Sequence, residues 1–170
     1  RYLPTYKMMR DTMDGEDAVK EAGTTYLPMK SGVSAITDTT VRDRAYSNYV
    51  FRAEFPELVE PTTRGLLGLI HNNDAVINLP KALEGLRDRA TLDGRTLKQV
   101  HYRLTSELLC LGRYGLLPGV QDGEMYLAEY AAEAVTNWDG ENYVVLNESG
   151  EARDPATNKW HMRHQYRECY

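Results

Sequence analysis

One histidine pair in the chain has a spacing that metal sites can use. His161 and His164 are three residues apart, which places both imidazoles on one face only where the stretch is helical. The surrounding residues alternate as in a strand, where side chains three apart point to opposite faces. No Cys, Asp or third His lies at a suitable spacing for a metal site. We therefore predict no metal site.

Three glutamates and one further histidine could also suggest catalysis. Glu54, Glu57 and Glu60 repeat at intervals of three, but prolines surround them and no base or metal partner follows, so we interpret them as a solvated face. His101 lies on an apolar stripe and is predicted to be a hydrogen-bonded core histidine. The sequence contains no phosphate-binding glycine loop, nucleophile elbow or HExxH motif. We expect no catalytic residue and no cofactor.

Arginines form the densest basic patch, at Arg87, Arg89 and Arg95. They could contact a phosphate backbone or pair with Asp88 and Asp93, and pairing is the favoured interpretation. The whole chain carries 25 acidic and 20 basic residues, a net charge of −5. Proteins that grip nucleic acid usually carry an excess of Lys and Arg, so this balance argues against tight DNA binding.

Composition places the chain among ordinary globular proteins. Its 170 residues, 42% hydrophobic, suffice for one domain with a core. Neither a membrane-spanning apolar run nor a signal peptide is found in the sequence. Cys110 and Cys169 are far apart, which favours free thiols in a reducing compartment. Because the sequence begins with Arg1 and ends within a predicted strand, we expect a piece of a longer polypeptide.

The clearest local pattern predicts a helix that begins after Thr96. Thr96 and Gln99 form a capping box, apolar residues then recur at three-four spacing, and Gly112 is the expected stop. Residues 114–117 are predicted to be extended, with Pro118 and Gly119 turning the chain.

Other helices are predicted over residues 6–13, 16–22, 41–55, 62–70 and 80–90. Asp14 is the expected cap of the second, residues 25–28 are expected to be extended, and residues 29–40 form a loop. Residues 75–79 are predicted to be a short extended run. The two glycines Gly65 and Gly68 inside an apolar helix predict a close-packing site.

The last third has a different pattern. Residues 125–130 are predicted to be extended or irregular, 131–135 a helical turn, and 142–147 a strand that pairs with another over 160–170, across a polar loop at 148–159. The predicted fold class is thus α+β: mainly α-helical, with a small antiparallel β portion at the C-terminal end. Residues 1–170 are treated as one segment, with 1–112 mainly helical and 113–170 mixed.

Short motifs follow one another along most of the chain. They are Met9-Arg10-Asp11 with Gly15, Ala22-Gly23, Tyr26-Leu27-Pro28, Tyr46, Tyr49, Arg52-Ala53, Thr62-Thr63-Arg64-Gly65-Leu66-Leu67-Gly68, Asn78-Leu79-Pro80, Asp93-Gly94, Gly112-Arg113-Tyr114-Gly115-Leu116-Leu117, Tyr126-Leu127-Ala128-Glu129-Tyr130 and Asn137-Trp138. In this order the series resembles the N-terminal wing part of tailed-bacteriophage portal proteins, in a branch long described as a domain of unknown function. The chain departs from that pattern at Pro56 and Pro61, and where Leu117-Pro118-Gly119 replaces the usual Val-Asp-x-Pro.

The resemblance implies a wing-like fold within a ring, typically of twelve copies, at one capsid vertex. Such a ring passes double-stranded DNA without sequence specificity and contacts capsid protein, terminase and tail adaptor proteins. It would assemble in the host cytoplasm and reside in the virion, with no membrane partner. Stem and crown would lie mostly beyond residue 170. Portal proteins have no catalytic residues, so none carries over.

Two alternatives stay open. The chain could be a head–tail adaptor or connector module, or a fragment of a phage enzyme whose catalytic half lies elsewhere. A phosphate loop or acidic metal cluster in the remaining polypeptide would favour the enzyme, whereas a long amphipathic helix pair would favour the portal.

Overall fold

The computed structural model describes residues 2–140, 142–155 and 157–170 and confirms the α+β prediction. The helices are α1 (Leu3–Asp14), α2 (Glu16–Glu21), α3 (Ser31–Ser34), α4 (Thr39–Arg52), α5 (Val59–Ile70) and α6 (Leu97–Leu111), with 3-10 segments at Gly23–Thr25, Lys81–Arg87 and Ala132–Ala134. The strands are β1 (Tyr114–Gln121), β2 (Glu124–Ala131), β3 (Val135–Trp138), β4 (Val144–Asn147), β5 (Gly150–Arg153), β6 (Trp160–Arg163) and β7 (Tyr166–Cys169).

Two compact units divide the chain. We name Lys7–Leu69 the helical unit, and the residues up to Tyr6 together with Ile70–Tyr170 the mixed unit. The long helix α1 begins in the mixed unit and continues into the helical unit.

Side chains from distant and from neighbouring residues set two helix starts in the helical unit. Asp14 does not cap α2; Gly15 precedes it with a φ of 92°, and the Glu57 carboxylate accepts the Glu16 backbone N–H at 2.9 Å. Only a residue that tolerates positive φ fits there, which explains the glycine. Asp38 caps α4 by accepting the Thr40 and Val41 N–H groups.

Several local predictions are wrong in this unit and just after it. Residues 25–28 form the end of a 3-10 segment and a turn, the predicted loop contains α3, and the predicted helix from Pro80 is the 3-10 segment Lys81–Arg87. The predicted helix over 62–70 is confirmed as α5, which begins slightly earlier, at Val59, with Pro61 in its first turn. Residues 75–79 form neither a helix nor a strand.

Helix α6 follows the sequence prediction closely. The Thr96 hydroxyl accepts the Gln99 N–H, and the Gln99 side chain accepts the Thr96 N–H at 2.9 Å, which completes the capping box. Gly112 ends the helix with a φ of 71°. Val100, 1% exposed, is its most buried side chain.

After α6 the chain forms a long hairpin instead of the predicted turn at Pro118 and Gly119. Both residues lie inside β1, which pairs antiparallel with β2, and the turn comes at Asp122 and Gly123 with positive φ. β1 pairs with β2 alone among the described strands, so the missing N–H of Pro118 can face the unpaired edge. Gly119 lies opposite Tyr126, whose ring occupies the space above the glycine.

Two further antiparallel sheets complete the mixed unit, in the orders β3-β4-β7 and β5-β6. The predicted strand over 160–170 is therefore two strands: β7 pairs with β4 as expected, whereas β6 pairs with β5 inside the predicted polar loop. Strand β3 was not predicted. Tyr6, Leu111 and Ala132 form a buried cluster, with Cys110 packed at its edge.

Candidate functional site

A group of three aromatic side chains, Tyr2, Tyr6 and Trp138, surrounds Arg113 in the mixed unit. The guanidinium carbon lies 3.5 Å from the centre of the Trp138 ring, and the guanidinium also donates to the Tyr6 hydroxyl at 3.3 Å. The Tyr2 ring lies near both aromatic neighbours, with its centre 6.0 Å from that of Trp138 and 6.2 Å from that of Tyr6. A cation over an indole face is attracted by the negative face of the ring, so Arg113 fixes how Trp138 is presented.

Three elements position this cluster. Gly112 ends α6 in a left-handed conformation, and Arg113 follows it directly. Tyr2 and Tyr6 are four residues apart around the first turn of α1, so their side chains share a face. Trp138 ends β3, where its N–H donates to the Asn137 side-chain oxygen at 3.0 Å.

A cleft of about 460 Å³ opens beside these rings. Its lining includes Tyr2, Tyr6, Glu133, Thr136, Asn137 and Trp138. Half of the Tyr2 surface is exposed, and Trp138 is partly buried. The cleft thus offers ring faces and hydrogen-bonding edges. This arrangement suits binding.

A second network joins β1 and β2 to the segment before α6. The Tyr114 hydroxyl donates to Glu129 at 2.7 Å, and Arg95 forms ion pairs with both Glu129 and Asp93. The Glu129 side chain is only 9% exposed, so its charge is compensated where water is scarce. Burial, with the Glu129 hydrogen bond second, raises the pKa of Tyr114 far above its ordinary value.

A third network connects β2 with the strands β4 and β7. The Tyr130 hydroxyl donates to Glu148 at 2.5 Å, and the Arg167 guanidinium donates to the same carboxylate at 2.6 Å. Burial and the hydrogen bond to Glu148 raise the pKa of Tyr130 to about 12. The Arg167 and Tyr130 hydrogen bonds lower the pKa of Glu148. This network ties the hairpin to the sheet that follows it.

The helical unit has its own polar network. The Tyr26 hydroxyl donates to Asp11 at 2.6 Å, and Lys7 donates to the same carboxylate at 2.7 and 2.9 Å. The hydrogen bonds from Lys7 and then Tyr26 lower the pKa of Asp11. Tyr46 donates to the Leu27 carbonyl at 2.9 Å, which anchors the segment after α2 to α4.

The structure separates the two histidines of the HxxH pair. His161 lies in β6 and His164 in the connection to β7, and both are exposed. Among the described residues, no group of three or more His, Cys, Asp or Glu side chains could hold a metal ion. His101 is half-buried and packs against the His71 ring, with 4.8 Å between ring centres. Its predicted hydrogen bond stays a prediction.

The acidic and basic candidates have structural partners. Glu57 accepts the Glu16 N–H, Glu60 pairs with Arg64, and Glu54 is exposed. Of the predicted arginine pairs, the one between Arg95 and Asp93 is confirmed at 2.9 Å.

The other two arginines of the basic patch are exposed, and Arg87 donates to the Ile77 carbonyl at 3.0 Å. The glycine prediction is wrong: a Cβ added at Gly65 or Gly68 would meet no described atom within 4 Å.

Sequence reasoning did not identify the aromatic cleft. Its one signal was the excess of tyrosine, with 12 Tyr against 2 Phe, but that count cannot show which rings meet. No family model matches the chain, and no curated protein matches its sequence. Within the described ranges, no helix combines the length and apolar character that crossing a membrane requires.

Proposed function

We propose that this chain is the wing part of a portal subunit, a structural protein whose copies form a ring at one vertex of a phage capsid. In that role the ring forms the channel through which double-stranded DNA is packaged and ejected, and it connects head to tail. The ordered series of motifs along the sequence is the basis of the proposal. Residence in the virion, and contacts with capsid protein, terminase and tail adaptor proteins, belong to the same proposal.

The observation that best supports this proposal is that residues of different motifs contact one another. Asp11 of one motif binds Tyr26 of another, and Leu27 binds Tyr46. In the mixed unit, Arg113 lies on Trp138, and Tyr114 binds Glu129. These contacts join separate motifs of the series to one another within each unit, so the motif residues help to hold the fold together. This use of the motifs supports a structural role.

Exposed apolar side chains support contacts between copies. On α5, Leu66, Leu69 and Ile70 are exposed, Leu69 to 76%. Apolar patches of this kind often mark surfaces that another protein covers. The net charge of −5 suits a channel subunit, because acidic surfaces repel phosphate and allow DNA to slide.

Mass photometry of the full-length protein tests the proposal. The portal role predicts a discrete species of many copies, typically twelve, that stays intact on dilution. A head–tail adaptor would also form rings, but only after mixing with a preformed portal. A monomer that hydrolyses nucleotide or nucleic acid would instead support the enzyme alternative and refute the portal role.

A further inference from the structure

A small cavity in the mixed unit gathers basic side chains, although the chain as a whole is acidic. Its volume is about 220 Å³, and its lining comes from the residues that follow α5, the 3-10 segment Lys81–Arg87 and the first two turns of α6. We propose that this cavity binds a small oxyanion of phosphate size, either free phosphate or the phosphate group of a small molecule. The proposal does not rest on the portal role, because it uses only the residues that line the cavity.

Charge is the first argument. The side chains of Arg87, Lys98, His71 and His101 line the cavity, and Asp74 is the one acidic residue among its described lining residues. The whole chain, in contrast, carries a net charge of −5. Guanidinium, ammonium and imidazole groups can all donate hydrogen bonds to a phosphate oxygen. A concave surface with an excess of positive charge attracts small anions.

Arg87 is the lining residue best suited to bind an oxyanion. Its Nη2 atom donates to the Ile77 carbonyl at 3.0 Å, which holds the guanidinium beside the cavity. Within the described ranges, none of the ion pairs involves Arg87. The bond to Ile77 uses one of five guanidinium N–H groups, so the others stay available. Arginine binds phosphate through two parallel hydrogen bonds, and a guanidinium that is already held in place is organised for this.

Lys98 provides a second positive charge at the cavity. It pairs with Asp74, but 72% of the Lys98 side chain and 77% of the Asp74 side chain are exposed. Ion pairs between exposed groups contribute little to stability, so an oxyanion can share or replace this contact. Lys98 also lies in the first turn of α6, and the N-terminal end of a helix favours negative charge.

A buried polar atom without a partner also points to a ligand. Nε2 of His71 is buried, and no hydrogen bond to it is found in the part of the chain that the structure describes. Buried polar atoms nearly always have a partner, which can be a water molecule or an ion. The His71 ring lines the cavity and packs against His101. A rotation of this ring on binding would give the nitrogen an oxyanion partner.

Size and ligand chemistry argue against other occupants. A volume of about 220 Å³ is below the roughly 300–1,000 Å³ of typical pockets for drug-sized ligands, but it accommodates an ion or a very small molecule. Among the described residues, no group of three or more His, Cys, Asp or Glu side chains could hold a metal ion. A nucleic-acid strand needs a basic groove along its backbone instead of a single cavity. The observations therefore favour a small oxyanion.

Isothermal titration calorimetry of the full-length protein with inorganic phosphate, in a low-salt buffer free of phosphate, tests this inference. We expect saturable binding. Arg87→Gln should weaken it at least about tenfold, the effect of losing one charge-assisted hydrogen bond. Arg89→Gln is the matched control and should leave the affinity unchanged, because Arg89 is an equally exposed arginine that lines a different cavity. Glycerol 3-phosphate identifies the source of the phosphate group: tighter binding than that of phosphate indicates a phosphorylated small molecule, and weaker binding indicates the free ion.

A variant that should bind more tightly separates binding from folding. Asp74→Asn removes the acidic side chain of the lining and frees Lys98, so it should strengthen phosphate binding by about threefold or more. A metal site would respond in the opposite direction, since it would lose a ligand. The inference is overturned if phosphate does not bind, if Arg89→Gln weakens binding as much as Arg87→Gln, if Asp74→Asn weakens it, or if zinc ions or a DNA duplex bind and phosphate does not.

Discussion

Replacing Gly119 by alanine tests how the β1–β2 hairpin is built. A Cβ at this position would lie 2.5 Å from the Tyr126 ring carbon Cζ and 2.7 Å from Cε1 and the hydroxyl oxygen. Such distances are too short for non-bonded atoms, so the ring must move away from the strand. Because Gly119 and Tyr126 are directly opposed in the register, the effect should depend on that one tyrosine.

Two opposing contributions determine how much Gly119→Ala changes the free energy of unfolding. In a strand, alanine is favoured over glycine by roughly 0.5–1 kcal/mol, since glycine loses more backbone entropy. Forcing extra atoms into a packed core costs typically about 1–3 kcal/mol. Here the atoms in the way are the far end of a partly exposed tyrosine side chain, so the cost should lie near the lower end of that range. Gly119→Ala should therefore lower the free energy of unfolding by no more than about 0.5 kcal/mol. In a Tyr126→Ala background the clash is absent, and the same change should raise it by roughly 0.5–1 kcal/mol.

Urea unfolding, followed by Trp138 emission in the Trp160→Phe protein, measures both effects, provided that the denaturant slope stays constant. Gly150→Ala is the matched control: Gly150 lies in β5, and an added Cβ there meets no described atom within 4 Å. It should not be destabilising in either background. A coupling energy between Gly119→Ala and Tyr126→Ala below about 0.5 kcal/mol, the level expected for independent sites, would refute the packing described here.

Four further predictions concern a helix end, a helix interior and the pH dependence of stability. Thr96→Ala should lower the free energy of unfolding by about 1 kcal/mol and Thr96→Ser by much less, because serine keeps the capping oxygen; equal losses in urea unfolding would contradict this. Gly68→Ala should raise stability by about 1 kcal/mol, since helix α5 has open space there; a loss in thermal unfolding would indicate a close neighbour. The pKa of Glu148 is lowered by Arg167, so its stabilisation is present above the unfolded pKa and is lost as pH falls through the folded pKa. In Glu148→Gln the free energy of unfolding should fall less steeply as the pH is lowered. An unchanged steepness would exclude Glu148 as the source of the acid sensitivity. Conversely, the pKa of Tyr130 is raised to about 12, so its protonated hydroxyl stabilises the fold below about pH 10, and this stabilisation is lost as pH rises from about 10 to 12. Tyr130→Phe should abolish that alkaline loss of stability, measured by unfolding at several pH values.

Features set by neighbouring residues could be predicted from the sequence. The capping box of α6 and its glycine stop involve atoms within a few residues of each other, so the pattern alone determines them. The change from helices to strands after residue 112 was predicted for the same reason, since apolar periodicity is a local property.

Features set by distant residues could not be predicted. The partner that accepts the Glu16 N–H is Glu57, which is 41 residues away. Pro118 and Gly119 have the local pattern of a turn, yet an unpaired strand edge and the Tyr126 ring make them suitable for a strand. β6 pairs with a segment that is polar enough to resemble a loop.

The candidate site could not be predicted from the sequence either, because its residues are far apart along the chain. Arg113 and Trp138 are 25 residues apart, and Tyr2 comes from the other end of the chain. Neither composition nor spacing brings them together; that depends on α6, β3 and the first turn of α1, which all lie in the mixed unit. By contrast, the HxxH spacing that suggested a metal site joins an exposed histidine of β6, His161, to an exposed histidine of the connection after it, His164.

Electron microscopy of the full-length protein can show whether these residues belong to a scaffold that assembles beside copies of itself. We expect closed rings around a central opening, with the described chain in the outer part of each subunit. Particles that remain single copies at the highest attainable concentration, or a nucleotide or metal ion held tightly by residues of this chain, would contradict it.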